Sequence, residues 1–323
     1  MAGSSNKATT RIRRTTLAVP GSSPRMIEKS RQLPVDAIFL DLEDSVSPAA
    51  KLEARANVIT ELRKGGFGNR LMTVRINDLN SSLAKDDLIE VMTAVGKNLD
   101  CIMLPKVRSV EEIEWLDKKL TKLEKSIGKQ VGATGIEVQI EDALGLINVE
   151  KISACSDRIE TIILGPGDLM ASLNIRSLEV GQQPEGYTEG DAYHYILMKL
   201  LIAARAYGRQ VIDGPYFAIK DLAGLRLTSN RSAALGFDGK WVLHPDQIEI
   251  VNEIFSPQQE DYERAELILD AYAFHTSELG GKRGAVMLGE EMIDEASRKM
   301  ALVVAEKGRA AGLQRTKVFI PEH

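Results

Sequence analysis

Charged residues in this chain stand at the ends of apolar runs, where a buried strand would deliver them to a common rim. In LDLEDSV, residues 40–46, three carboxylates, Asp41, Glu43 and Asp44, follow the apolar Ala37, Ile38 and Phe39. Arg75 and Asn77 close VRIN, Lys106 closes IMLPK, Glu141 and Asp142 close EVQI, and Asp168 follows LGPG. Asp213, His244 and Asp246 end two later runs in the same way. Carboxylates that converge repel one another unless a cation neutralises them. An all-oxygen set of this kind suits Mg²⁺, or Mn²⁺ in its place, better than zinc, and only four histidines are present to build a His-rich site. Arg75 is the natural counterpart, because a guanidinium grips a carboxylate through two parallel hydrogen bonds and so fixes its orientation.

Each of these residues also has a plainer use. Asp44 and Asp246 stand as well as N-caps of following helices as they do as ligands, and Arg75 serves equally in a structural ion pair. Asp294, ahead of EASRKMALVV, is an N-cap on local physics alone. The loop PGSSPRMIEKS opens a helix at Ser22 or Ser23 before Pro24, which leaves backbone N–H groups free for an anion beside Arg25 and Lys29. A phosphate-bearing ligand fits there, although an ordinary capped helix has the same sequence.

The elements that position these residues alternate between short apolar runs and longer amphipathic ones. Eight strands are expected, over 15–21, 37–43, 71–77, 101–107, 135–141, 161–167, 209–215 and 240–245. Helices lie between them, with Leu52, Ala56, Ile59 and Leu62 on one inward face and Ile113, Leu116, Leu120 and Leu123 on another. Eight such units favour a TIM (β/α)8 barrel over an open sheet, and the mouth formed by the strand C-termini is where reactive groups collect. A barrel takes about 250 residues, so the expected division is a flexible arm over 1–14, a barrel over 15–256 and a C-terminal helical extension over 257–323. The extension reads as a helix, a hairpin and a second helix. The polar, Gly-rich segment 174–191 reads as a surface loop or lid.

The bulk composition narrows the partners. Among 323 residues the net charge is -5, so no basic field attracts nucleic acid, and no apolar stretch approaches the length of a membrane span. The expected partners are small molecules, and the expected location is the cytoplasm. Two cysteines, Cys101 and Cys155, read as buried free thiols.

The motifs LDLEDSVSPAAKLEAR, VRIN, IMLPKV, EVQIEDALGL, LGPGDLMAS and GKWVLHPDQI together resemble the citrate lyase beta subunit family, and within it the malyl-CoA, methylmalyl-CoA and citramalyl-CoA lyases. The resemblance runs from about Thr15 to the C-terminal helix. It implies a Mg²⁺-dependent enzyme that reversibly cleaves a 3-hydroxyacyl-CoA into acetyl-CoA or propionyl-CoA and a 2-oxo acid such as glyoxylate or pyruvate. It further implies that Glu141 and Asp168 bind the metal, that Glu43 and Asp44 lie in its outer shell, and that Arg75 holds the oxo acid. Asp41, one strand step before Glu43 on the same face, either joins that outer shell or positions its neighbours. Ser22, Arg25 and Lys29 fall in the CoA-binding loop, where an arginine often found in the family is replaced by Ser23. Asp294 matches an aspartate that a neighbouring subunit places over the active site as acid and base, which implies a homotrimer or homohexamer. Two other outcomes keep the same resemblance: a thioester-hydrolysing enzyme akin to malyl-CoA thioesterase or malate synthase, and a carrier-dependent citrate lyase subunit in a complex.

Overall fold

The computed structural model describes residues 11–321. All eight expected strands are present: β1 (Thr15–Pro20), β2 (Ala37–Asp41), β3 (Leu71–Arg75), β4 (Cys101–Leu104), β5 (Gly135–Ile140), β6 (Ile159–Leu164), β7 (Gln210–Asp213) and β8 (Gly239–Val242). They form a closed parallel barrel in which each strand pairs with the next and β1 closes on β8. The fold is a TIM barrel. Among the described residues of this unit nine α-helices stand outside the strands: α1 (Pro24–Ser30), α2 (Lys51–Lys64), α3 (Ala84–Val95), α4 (Val110–Ile127), α5 (Ala143–Ala154), α6 (Pro166–Ser172), α7 (His194–Ala206), α8 (Leu222–Leu235) and α9 (Ile248–Ile254).

Strands covered on both faces need apolar side chains on both, and β2 accordingly has all of AIFLD buried. Inside the barrel, Phe39, Met103, Ile163 and Trp241 come from β2, β4, β6 and β8 and pack together. Four side chains from alternate strands are the repeating layer of a filled TIM barrel. The rings of Phe39 and Trp241 meet edge to face at 4.7 Å. This layer is the floor beneath the polar mouth.

Two expectations shift. In α4 the inward face is as expected, with Ile113, Leu116 and Leu120 fully buried. In α2 the buried apolar residues are Ala54, Val58 and Leu62, whereas Leu52 is 65% exposed. The short turn Pro48–Ala50 precedes α2, and the helix buries Val58 fully against Gly21 while Ile59 packs on the core only partly buried. Several strands also end one or two residues early, because their last polar residues leave the ladder for side-chain partners. Asn77, for example, bonds through Nδ2 to Asp87 at 2.6 Å.

Residues 1–10 of the expected N-terminal arm lie outside the described residues, but its final residues are anchored. Arg13 is buried, with its Nε 3.2 Å from Glu137 Oε1 and further donations to Glu160 and Gln210. Arg14 pairs with Asp36 at 2.8 Å. The N-terminal end of the barrel interior carries buried acids, and the arginine is their counter-charge. Segment 174–191 contains no helix or strand, and it is tied to the barrel wall where Arg231 pairs with Asp191 at 2.9 Å.

A second compact unit begins at Ser256. It contains α10 (Gln259–Thr276), the antiparallel pair β9 (Val286–Leu288) and β10 (Glu291–Ile293), and α11 (Glu295–Ala310). Helices α10 and α11 pack through the small residues Ala265, Ala301 and Ala305. Among the described residues no helix is long and apolar enough to cross a membrane.

Removing one partner of a buried ion pair leaves the other uncompensated, at a cost of about 3–5 kcal/mol. Arg13→Met should therefore destabilise the barrel by that amount in urea unfolding, and the double variant Arg13→Met with Glu137→Met should recover part of the loss. A single variant within about 0.5 kcal/mol of wild type would show that Arg13 is not the counter-charge of Glu137.

Candidate active site at the barrel mouth

Arg75, the last residue of β3, lies in the barrel interior and is 3% exposed. Its Nε and Nη2 donate to Asp41 Oδ1 and Oδ2, both at 2.7 Å, across the β2–β3 pairing that sets the two residues side by side. Its guanidinium carbon is 5.1 Å from the Trp241 ring centre and 5.5 Å from that of Phe39. Nη1 faces the mouth, 3.2 Å from Gln139 Oε1 and 3.4 Å from Glu43 Oε2. Burial opposes the charge on Asp41, yet the Arg75 guanidinium outweighs it and holds the carboxyl at about 2.

Asp41 is thereby fully engaged. Besides Arg75, its oxygens accept from the Glu43 N–H at 2.8 Å, from the Ser45 N–H at 2.9 Å and from the Ser45 hydroxyl. Of the two uses open to it, a place in a metal's water shell or the positioning of its neighbours, this geometry supplies the second. The loop after β2 is also held by Lys51, whose Nζ donates to the carbonyls of Leu42 at 2.8 Å and Glu43 at 2.6 Å. Asp44 caps no helix, since the following turn begins after Ser47.

Glu141 follows β5 and is 2% exposed. Each of its oxygens takes a hydrogen bond: Oε1 from the Lys106 backbone N–H at 2.7 Å, and Oε2 from Gln139 Nε2 at 2.6 Å. Burial pushes its carboxyl up to about 8, and Glu43 and Asp168 add repulsion against the pull of Arg75. Asp168 stands in the first turn of α6, half exposed, where Pro166 starts the helix. Gly165 joins β6 to α6, and a Cβ built there would lie 2.4 Å from Glu141 Oε2 and 2.5 Å from its Cβ. Only a glycine lets Glu141 sit where it does.

Lys106 connects these pieces. Its ammonium lies 2.6 Å from Glu43 Oε1, 3.1 Å from Asp44 Oδ1 and 3.5 Å from Asp168 Oδ2. Burial acts against its charge, but these acids raise its pKa well above the usual lysine value. The sequence placed Lys106 at the end of a strand without giving it a role, and Gln139 and Gly165 were not singled out. Strand ends are visible in a sequence, whereas partners across a barrel are not.

The other expected residues lie apart from this cluster in the sequence. Ser23 caps α1, accepting from the Met26 N–H, and Arg25 and Lys29 are exposed on that helix with Ser22 just before it. Asp294 is in the second unit, where it caps α11 in a reciprocal pair with Ser297 at 2.9 Å. Hydrogen bonds from the Ser297 backbone and hydroxyl hold its carboxyl below the usual range.

Does the mouth suit a divalent cation? Among the described residues no three Asp, Glu, His or Cys side chains converge as a ready-made metal cage. Glu141 and Asp168 supply two carboxylates, and Glu141 is a buried acid short of positive charge. Two carboxylates with the remaining positions left to water and substrate is the way Mg²⁺ is usually held. The donor set fits.

The family model described as HpcH/HpaI aldolase/citrate lyase matches residues 14–245, the whole barrel apart from its last turn and helix. The chain belongs to the HpcH/HpaI aldolase/citrate lyase family. It is an enzyme of the lyase type, built on that family's barrel. A Cereibacter sphaeroides protein named L-malyl-CoA/beta-methylmalyl-CoA lyase is 34% identical over 92% of this chain and 95% of its own length. A second protein of that species, named (3S)-malyl-CoA thioesterase, is 32% identical over 93% of this chain and 96% of its own. The crystal structure of CitE from Mycobacterium tuberculosis in complex with magnesium, acetoacetate and coenzyme A superposes with a TM-score of 0.69 at 25% identity, covering 94% of this chain and 100% of that one.

Gly165→Ala should push Glu141 aside while leaving the barrel folded. The expected result is at least about a tenfold loss of Mg²⁺ affinity by calorimetry, the size seen when the support of a metal ligand is lost. Unchanged affinity would mean that Glu141 does not hold the cation from this position.

Proposed function

We propose that this family member is a Mg²⁺-dependent carbon–carbon lyase that cleaves a 3-hydroxyacyl-CoA, of the malyl-, methylmalyl- or citramalyl-CoA type, into acetyl-CoA or propionyl-CoA and glyoxylate or pyruvate. The observation that carries the reading is the buried Glu141 beside Asp168, at a mouth that also holds an oriented arginine. The lyase relative and the magnesium- and CoA-bound neighbour support it. Mn²⁺ is the expected substitute. Bound Mg²⁺ supplies Lewis acidity to the hydroxyl or oxo oxygen.

The chain's own residues do the rest. Glu141 and Asp168 would hold the cation, with Glu43 and Asp44 as the supporting acids beside it. Asp41 fixes the Arg75 guanidinium, so Nη1 faces the mouth and orients the carboxylate of the 2-oxo acid. In cleavage, the bond between the carbinol carbon and the carbon next to the thioester carbonyl breaks. Its electron pair stays with the thioester as an enolate, and the carbinol C–O becomes C=O as its hydroxyl proton passes to the Asp294 carboxylate of a second copy of the chain. The enolate carbon then gains a proton, which Asp294 delivers from a second copy of the chain in a homotrimer or homohexamer. In condensation the same carboxylate removes it. The exposed Arg25 and Lys29, with Ser22, flank the start of α1, where the CoA phosphates dock on their charge.

The thioesterase relative favours a second outcome on the same site, hydrolysis of the thioester to free CoA. Incubation of malyl-, methylmalyl- and citramalyl-CoA with enzyme and Mg²⁺ separates the two. The lyase reading expects a 2-oxo acid and an acyl-CoA in equal amounts; free CoA and a hydroxy diacid without any 2-oxo acid would refute it.

A positioned acid–base carboxylate is worth about 10²–10⁴-fold in rate. Asp294→Ala should lower kcat by at least that range with Mg²⁺ affinity unchanged, and near-normal turnover removes it from the reaction. Co-expressing Asp294→Ala with Glu141→Gln, each inactive alone, should restore part of the activity in mixed oligomers. No recovery would show that Asp294 does not act across subunits.

A further inference from the structure

Lys106 is one residue that touches four acids reached from three other strands. Its ammonium gathers Glu43 and Asp44 after β2 and Asp168 after β6, and its backbone N–H donates to Glu141 after β5. This reach depends on an unusual backbone: Lys106 has φ 52°, one of three non-glycine residues in the left-handed region among those described. That region disfavours side chains, and a residue kept there at a site needs a compensating contact. Here the 2.7 Å bond to Glu141 is that contact, and it aims the side chain back across the mouth toward Glu43.

A surface lysine with one exposed partner contributes little. Lys106 differs, because its side chain is only 22% exposed and its firmest partner, Glu43, is 5% exposed. Without its charge, Glu43, Asp44, Asp168 and Glu141 would face one another with only Arg75 to offset them, and that guanidinium gives two of its donors to Asp41 and reaches Glu43 at 3.4 Å. We propose that Lys106 is a positioning residue that acts as the mouth's internal counter-cation, offsetting the same carboxylates as the divalent ion. The two positive charges are therefore linked: the ammonium holds the acids in place before the ion arrives, and it sets the ion's affinity below what the bare acids would give. The linkage leaves the cluster assembled without making the ion's release slow.

The inference rests on the cation site of the proposed function, but not on the reaction. It is tested by titrating Mg²⁺, and separately Mn²⁺, into wild type, Lys106→Met, Lys106→Gln and Lys106→Arg in a calorimeter, with Tm measured with and without the ion. The expected result is tighter Mg²⁺ binding, by at least about threefold, in the Met and Gln variants, because a like charge near the ion is gone. The metal-free Tm of those variants falls by at least about 5 °C, and saturating Mg²⁺ restores more of it than it adds to wild type. Lys106→Arg keeps both properties near wild type. Unchanged or weaker affinity in the Met and Gln variants overturns the inference, as does a Tm loss equal with and without Mg²⁺, which is what a merely structural lysine gives. Should Lys106→Met fail to fold, Lys106→Gln carries the same expectations. A wild-type protein that shows this linkage yet cleaves none of the hydroxyacyl thioesters leaves the inference standing and refutes the lyase reading.

Discussion

Negative charge buried at the mouth of a closed barrel has to be matched by positive charge, and the way this chain does so organises everything above the hydrophobic floor. Asp41 receives a whole guanidinium edge from Arg75, and its carboxyl drops to about 2 in consequence. Glu141 receives only neutral N–H donors from Gln139 and the Lys106 backbone, and its carboxyl rises to about 8. Two acids in one barrel thus end in opposite electrostatic states, set by which strand lies next to each. The first is a fixed structural charge. The second is a buried acid whose hydrogen bonds come only from neutral donors.

The apolar layer below gives this polar arrangement its precision. Phe39 and Trp241 support the Arg75 guanidinium from beneath, so its position follows from ring packing as well as from the ion pair. The register between β2 and β3 places Asp41 opposite Arg75, and a slip of one residue would turn one of the two out of the interior and part the pair. Fold and site are therefore the same set of contacts. A site on strand ends inherits the rigidity of the barrel, which is what a cation with strict geometry requires.

Eight strands, and the polar residues that end all but the first of them, were legible in the sequence, since buried parallel strands read as unbroken apolar runs. The acid–arginine set was legible too, because strand C-termini share one rim in a barrel. What sequence alone missed depends on contacts across the barrel. That Asp41 belongs to Arg75 is decided by strand register, and that Lys106 spans to Glu43 and Asp168 is decided by one left-handed backbone angle. The burial of Arg13 was hidden for a similar reason: its partners, Glu137 and Gln210, lie more than a hundred residues away. In α2 the inward face shifted because the turn before the helix fixes its rotation, which periodicity cannot show. Asp294 shows the converse, since its local role as a helix cap was readable and is present, and its proposed chemistry in a second copy is a separate matter.

The central claim is that a divalent cation sits between Glu141 and Asp168. Crystals grown with Mn²⁺ and measured at the manganese absorption edge test it directly. The account predicts one strong anomalous peak per chain at bonding distance from both carboxylates, with the Lys106 ammonium nearby and not in contact with the ion. A peak coordinated elsewhere in the barrel, or no peak at millimolar Mn²⁺, would contradict it.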